Sequence, residues 1–235
     1  MEQSRALLLI ADIGGYTKYM RLHRLSLAHA QVNTARLLEA VVDAAPGLDL
    51  IEIEGDAAFL SSADPPDDET AARTATKAAI AMHRAFHSEQ ERLITSNMCF
   101  CDGCRQAGQL KFKCVAHVGD VAAQKVRDRT SLVGPDVIFV HRLLKNDVPL
   151  PEYVLLSEEL YGGVEAALRD RARPIDQNLE GLGKARAYFV GLGDGGDSAV
   201  GKPAGLPERI AGTISVLGRG MPYLLGFKRA DAAAD

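Results

Sequence analysis

An α+β fold on an antiparallel-rich sheet is what this sequence predicts, and three observations carry the prediction. The elements run β-α-β-β-α-β-(α)-β-α-β, with short hairpins beside long helices, unlike the strict alternation of a doubly wound parallel sheet. The run Ala6 to Ala11 is continuously apolar and bounded by Gly14-Gly15, as a central strand covered on both faces requires. Gly55-Asp56 stands between two strand-like segments at hairpin spacing.

The elements follow in order. After the first strand, apolar residues at Ala28, Val32, Ala35, Leu38, Val41, Val42 and Ala45 keep helical spacing until Pro46-Gly47 stops them. The hairpin pairs Leu48 to Glu54 with Ala57 to Ser61. Asp64-Pro65-Pro66-Asp67-Asp68-Glu69 is a loop leading into an acidic helix start, where negative side chains complement the dipole. The long helix has an apolar stripe of Ala71, Ala75, Ala78, Ala79, Met82, Ala85 and Phe86. Leu110 to Val118 is a strand that Gly119-Asp120 ends. Gly134-Pro135-Asp136 opens a helix, with proline at the first turn where its missing N–H is no loss, and Val137, Val140, His141 and Leu144 as the buried stripe. Tyr153 to Leu156 and Ala185 to Val190 are later strands, with a helical segment at Glu158 to Leu168 between them. The sequence has no internal repeat.

Residues 1–192 thus form one domain, and 193–235 a linker and tail: Gly191 to Pro207 is rich in Gly, Pro, Asp and Ser. Within the tail, Ile214 to Leu217 and Met221 to Phe227 suit one more hairpin or a docking arm.

A net charge of −4 over 235 residues, with no basic block, argues against nucleic acid as the partner. A small anion carrying its own magnesium remains compatible. No leader-like start and no apolar run near the ~20 residues that span a bilayer lead to the expectation of a cytoplasmic protein without a membrane partner. Thiols there stay reduced, so Cys99-x-Cys101-x-x-Cys104 is a metal site or free cysteines rather than a disulfide framework. Three thiols within six residues suit structural zinc, with Cys114 or His117 as the fourth ligand.

Two aspartates end strands beside glycine: Asp12 before Ile13-Gly14-Gly15, and Asp56 after Gly55. Hard divalent cations that carry triphosphates need oxygen ligands on rigid elements, next to backbone that can approach phosphate closely. Each aspartate alone is an ordinary turn residue, but the pair suggests a metal–nucleotide site.

Over roughly its first 190 residues the chain resembles the class III nucleotidyl cyclase catalytic domain, in a divergent bacterial branch. Ala11-Asp12-Ile13-Gly14-Gly15-Tyr16-Thr17 is similar to the family's first metal motif and Glu54-Gly55-Asp56-Ala57 to its second. Val115-Ala116-His117-Val118-Gly119 matches the strand that ends in histidine and glycine, and Gly134 to Leu143 matches the dimer-interface helix. The resemblance implies a ferredoxin-like βαββαβ sandwich with extra C-terminal strands. It further implies two magnesium or manganese ions on Asp12, Asp56 and the Ile13 carbonyl, and a triphosphate on the amides of Ile13, Gly14, Gly15 and Tyr16, beside Thr17.

In that family a second subunit completes each site, with an asparagine that orients the ribose and an arginine that stabilises the transition state. Arg142 matches the arginine; Ile138 replaces the asparagine and cannot hydrogen-bond. Glu52 stands at the adenine-selecting lysine position, which favours guanine, and Ser131 near the second selector; strand alternation alone would also make Glu52 a solvent-facing residue. Lys113 takes the place of a phosphate-contacting arginine, with an exposed strand lysine as the alternative. The implied function is a homodimer that binds GTP or ATP and forms a 3′,5′-cyclic nucleotide and pyrophosphate in cytoplasmic signalling. The alternative is an inactive nucleotide-binding or dimerisation module.

Overall fold

A computed structural model describes residues 3–22, 27–45, 47–95 and 106–193. Its described residues form an α+β structure with one eight-stranded sheet. The strands are β1 (Gln3–Gly14), β2 (Asp49–Glu54), β3 (Ala57–Ala63), β4 (Lys111–Val126), β5 (Arg129–Val133), β6 (Tyr153–Ser157), β7 (Arg173–Leu179) and β8 (Gly183–Gly191). The helices are α1 (Tyr16–Leu22), α2 (Leu27–Asp43), α3 (Asp68–Thr95), α4 (Pro135–Leu144), α5 (Glu158–Tyr161) and α6 (Ala166–Arg169).

The sheet order is β2-β3-β1-β4-β6-β8-β7, with β5 hairpinned onto β4. Its first four strands are all antiparallel, the expected βαββαβ arrangement. β6 then joins β4 in parallel, and β8 and β7 extend the sheet antiparallel. β1 sits between β3 and β4 and is buried from Ala6 to Ile13, so both of its faces are apolar and no alternation shows in the sequence.

The described residues pack as two units, one drawn from the segments within 3–14, 41–84 and 111–193, the other from those within 15–40 and 85–110. The first holds the whole sheet and a core of Leu8, Ile10, Phe59, Val115, Leu155 and Phe189 closed by Val140 and Leu143 of α4. In the second, the Tyr19 hydroxyl accepts from Asn33 Nδ2 at 3.1 Å, Arg36 pairs with Glu89 at 2.6 Å, and Gln90 Nε2 donates to the Ala107 and Leu110 carbonyls at 2.9 Å each.

The structure departs from the sequence reading in several places. β4 continues through Gly119-Asp120 to Val126, because β1 pairs with it as far as Ala122 and β5 continues the ladder. β5 and β7 are largely polar segments held as strands by pairing; β7 lies at the sheet edge, where Pro174 is tolerated, and covers Ile175, Gln177 and Leu179 in alternation with exposed Asp176 and Asn178. The helical segment after β6 is two single turns, α5 and α6, separated by Gly162-Gly163. Gly163 is required there, since a Cβ would lie 2.4 Å from the Asp68 carbonyl oxygen. α1 carries too little periodicity to be foreseen. In α4 the fully buried residues are Val140 and Leu143, with Val137, His141 and Leu144 only partly covered. Among the described residues no helix is long and apolar enough to cross a membrane.

Candidate functional site

β1 delivers Asp12 to the sheet end, and the register fixes its neighbours. Asp12 pairs with Ala57 on one side and Lys113 on the other. The turn before Ala57 is made by Gly55, at φ +66°, and carries Asp56, whose carbonyl accepts the Ile13 N–H at 3.1 Å. Both aspartates therefore stand on backbone held by ladder hydrogen bonds, and Ile13 anchors the tip with a buried side chain.

Their electrostatics follow from that proximity. Partial burial and the neighbouring Asp12 charge push the Asp56 carboxyl up to about 6, against the opposing pull of its own backbone hydrogen bond and of Lys113. Lys113 Nζ lies 2.7 Å from Asp12 Oδ2. Burial opposes its charge, but the hydrogen bond and charge of Asp12, helped by Tyr153 and Asp56, outweigh it and raise the ammonium above its ordinary range. Lys113 is thus a half-buried, paired cation rather than an exposed strand lysine. Gly14 gives it room, since a Cβ there would sit 3.3 Å from Lys113 Cε. A carboxylate near a strand tip and another on the adjoining tight turn are hard oxygen donors of the kind that suit Mg²⁺ or Mn²⁺.

Gly15, Tyr16 and Thr17 fall in the second unit. Gly15 takes φ +86°, and its carbonyl accepts the Tyr19 N–H at 3.0 Å to start α1. Glu52 and Ser131 line one open cleft of about 850 Å³ with Ile51 and the β4–β5 turn, whose Arg127 and Arg129 bring two guanidinium groups to the same cleft. The sequence reading missed that turn because it ended β4 at Asp120. Its one local signal is Arg127-Asp128, a turn dipeptide between residues of a polar strand pair.

Ile138 and Arg142 share the outer face of α4. Ile138 is 53% exposed, and Arg142 forms an ion pair with Glu180 of the β7–β8 turn. His141, one residue earlier, bonds Glu54 Oε1 at 2.9 Å and the Val137 carbonyl at 2.8 Å. This ties α4 to the end of β2, next to the Gly55-Asp56 turn.

His117 is a buried structural histidine. Its Nδ1 meets Ser157 Oγ at 2.9 Å and its Nε2 meets Asp136 Oδ1 at 3.1 Å. Asp136 also accepts the Asp120 N–H at 2.7 Å, so it docks the start of α4 onto β4. Gly119 is what admits it: a Cβ there would lie 2.3 Å from Asp136 Cγ. Asp136 was not foreseen, although the histidine and glycine two residues apart on one strand face are the signal of an incoming side chain. Cys114 is completely buried in β4, and burial pushes its thiol far up, away from the thiolate a metal needs. Cys99, Cys101 and Cys104 lie outside the described residues.

The sheet order and the helices laid on it are the fold of solved adenylyl and guanylyl cyclase catalytic domains. The fold matches the adenylyl cyclase CyaB from P. aeruginosa with a TM-score of 0.57 at 16% identity, covering 87% of this chain and 98% of that one. It matches the guanylate cyclase domain of RhGC from Catenaria anguillulae, solved with GTP, with a TM-score of 0.57 at 17% identity, covering 81% and 98%. A class III adenylyl cyclase-like ATP-binding protein from Pseudomonas aeruginosa gives 0.55 at 19% identity over 72% of this chain and 36% of that one. Within that fold, the chain belongs to the family described as protein of unknown function DUF2652, whose model matches residues 34–153. It is 34% identical over 203 residues to the uncharacterized protein Rv2561/Rv2562 of Mycobacterium tuberculosis, spanning 84% of this chain and 92% of that protein.

Proposed function

We propose that this protein binds a nucleoside triphosphate with a divalent cation at a site shared by two copies of the chain, and that it forms a 3′,5′-cyclic nucleotide slowly. The observation that carries the reading is the convergence of Asp12, near the tip of β1, and Asp56, in the β2–β3 turn, whose carbonyl accepts the Ile13 N–H at 3.1 Å. Lys113 returns one positive charge to the two acids, and a bound divalent cation would offset the charge that remains. The cation's contribution would be to lower the pKa of the ribose 3′-hydroxyl and neutralise charge on the departing pyrophosphate.

The chain's own residues would do the rest. Asp12 and Asp56 would hold the cation with the Ile13 carbonyl, and the Gly14 amide would receive phosphate. Glu52, with Ser131, accepts from the guanine ring N–H and amino group, which favours GTP over ATP. Arg142 of the second copy, released from Glu180, would face the charge that builds up on the transferring phosphorus. Apolar residues exposed on β2, the end of β4 and α4, namely Ile53 at 45%, Val126 at 60% and Ile138 at 53%, support a surface that a second copy covers.

A binding module without turnover is the second reading. Ile138 favours it, because an alkyl side chain cannot orient a ribose, and one of the structural neighbours is described as ATP-binding rather than as a cyclase. Mass analysis of purified protein incubated with Mn²⁺ and each nucleoside triphosphate tests the proposal. Cyclic product that depends on Asp12 and Asp56 supports the enzyme; nucleotide retention without product selects the module; absence of both refutes the nucleotide site.

A further inference from the structure

The strand register places four residues side by side across the sheet end: Ala57, Asp12, Lys113 and Tyr153. Lys113 is therefore a fixed cross-strand neighbour of Asp12. Its ammonium reaches Asp12 Oδ2 at 2.7 Å, and its side chain is only 26% exposed. Gly14, without a Cβ, opens the path along which its stem lies. Asp56, by contrast, has no ion-pair partner among the described residues.

We infer that Lys113 fills one of the two cation positions this carboxylate pair offers, so that the site takes a single divalent ion with its nucleotide rather than two. The inference rests on the metal–nucleotide reading above and adds a property to it. Asp12 and Asp56 carry two negative charges and Lys113 returns one, which leaves a site of net charge −1 for one hard cation shared between Asp56 and the free oxygen of Asp12. A second divalent ion on Asp12 would face an ammonium already bonded to the same carboxylate. The ladder on both sides fixes the Lys113 backbone opposite Asp12, within reach of its carboxylate.

Mn²⁺ counting by electron paramagnetic resonance, at saturating GTP and separately ATP, tests this on the full chain. One Mn²⁺ per bound nucleotide is expected for the wild type and for Lys113→Arg, and two for Lys113→Met. Without nucleotide, Lys113→Met should bind Mn²⁺ at least tenfold more tightly, as a competing cation is gone. Two ions in the wild type overturn the inference and leave the metal–nucleotide reading standing, whereas a wild type that binds neither Mn²⁺ nor nucleotide overturns both. One ion in Lys113→Met with unchanged Mn²⁺ affinity also overturns it. Should Lys113→Met lose its folded signal in circular dichroism, the wild-type and Lys113→Arg counts decide alone.

Discussion

The strand-tip half of the site and the α4 half are built to different tolerances. Asp12 and Asp56 stand on a central strand and a tight turn, joined by ladder hydrogen bonds and the Ile13 to Asp56 bond. Ile138 and Arg142 stand on an exposed helix face, one without any polar group and the other tied to a surface carboxylate that is itself 81% exposed. An exposed pair of that kind contributes about 0–1 kcal/mol, so Arg142 can be released, while the aspartates cannot move without unzipping the sheet. In the proposed reading the positions that would bind the cation are the rigid ones, and those that would speed chemistry are adjustable or replaced.

The largest expected effect breaks the rigid half. If the proposed site holds, Asp12→Ala and Asp56→Ala should each weaken Mn²⁺-dependent nucleotide binding on the order of 10³-fold, since each would remove a direct ligand worth several kcal/mol, as equilibrium dialysis with labelled GTP would measure. Binding retained in either variant would remove the strand-tip pair from the site. The opposite change repairs the adjustable half. Ile138→Asn should raise cyclic-nucleotide formation by about 10²-fold, the range of one positioned hydrogen-bond donor or acceptor. Because the position is exposed, stability should stay within about 0.5 kcal/mol. No gain in product in the assay would mean that more than this residue is missing.

A third prediction concerns the joint between the halves. Gly119→Ala drives a methyl group into Asp136, which His117 and the Asp120 N–H hold in place. The start of α4 must shift, at a cost of about 1–3 kcal/mol in urea unfolding. Nucleotide-free Mn²⁺ binding at the strand tips should be unchanged.

The smallest effect isolates the crowding of the two acids. Asp56 holds its proton more tightly folded, at about 6, than unfolded, near 3.8. The stability that protonation contributes is fully present below the unfolded value and is lost as pH rises through about 6. Asp56→Asn mimics the protonated form, so with a chelator present its advantage should be near zero at pH 4 and level off above pH 7. Two pKa units correspond to roughly 3 kcal/mol, but the partial exposure of Asp56 reduces the expected gap to about 1 kcal/mol. A difference that does not change with pH would refute the coupling.

How much of this was legible follows the range of the interactions. The hairpin at Gly55-Asp56, the acidic start of α3 and the buried stripe of that helix are local patterns, and each was found where expected. Asp67, in the loop before α3, accepts the Thr70 N–H at 2.6 Å, as an acidic helix start predicts. β5 and β7 escaped notice because both are largely polar: the alternation of β7 puts Gln177 on the covered face between Ile175 and Leu179, so it shows in burial and not in hydropathy. In the site, Glu52 and Ser131 were named from their motif positions and do line one cleft. Arg127, Arg129 and Asp136 were not named, because what brings them in is strand pairing and helix docking between distant segments.

By itself the sequence determined the elements that hydrogen-bond within a few residues and the two aspartates that end them beside glycine. Alternation, helical spacing and turn chemistry act over a turn or a strand. Only the tertiary structure decided that Lys113 stands opposite Asp12, that Arg142 is held by Glu180 and that Asp136 reaches His117. Those pairings depend on the register between strands about a hundred residues apart and on the angle at which α4 docks, and both are set by the packing of the whole core.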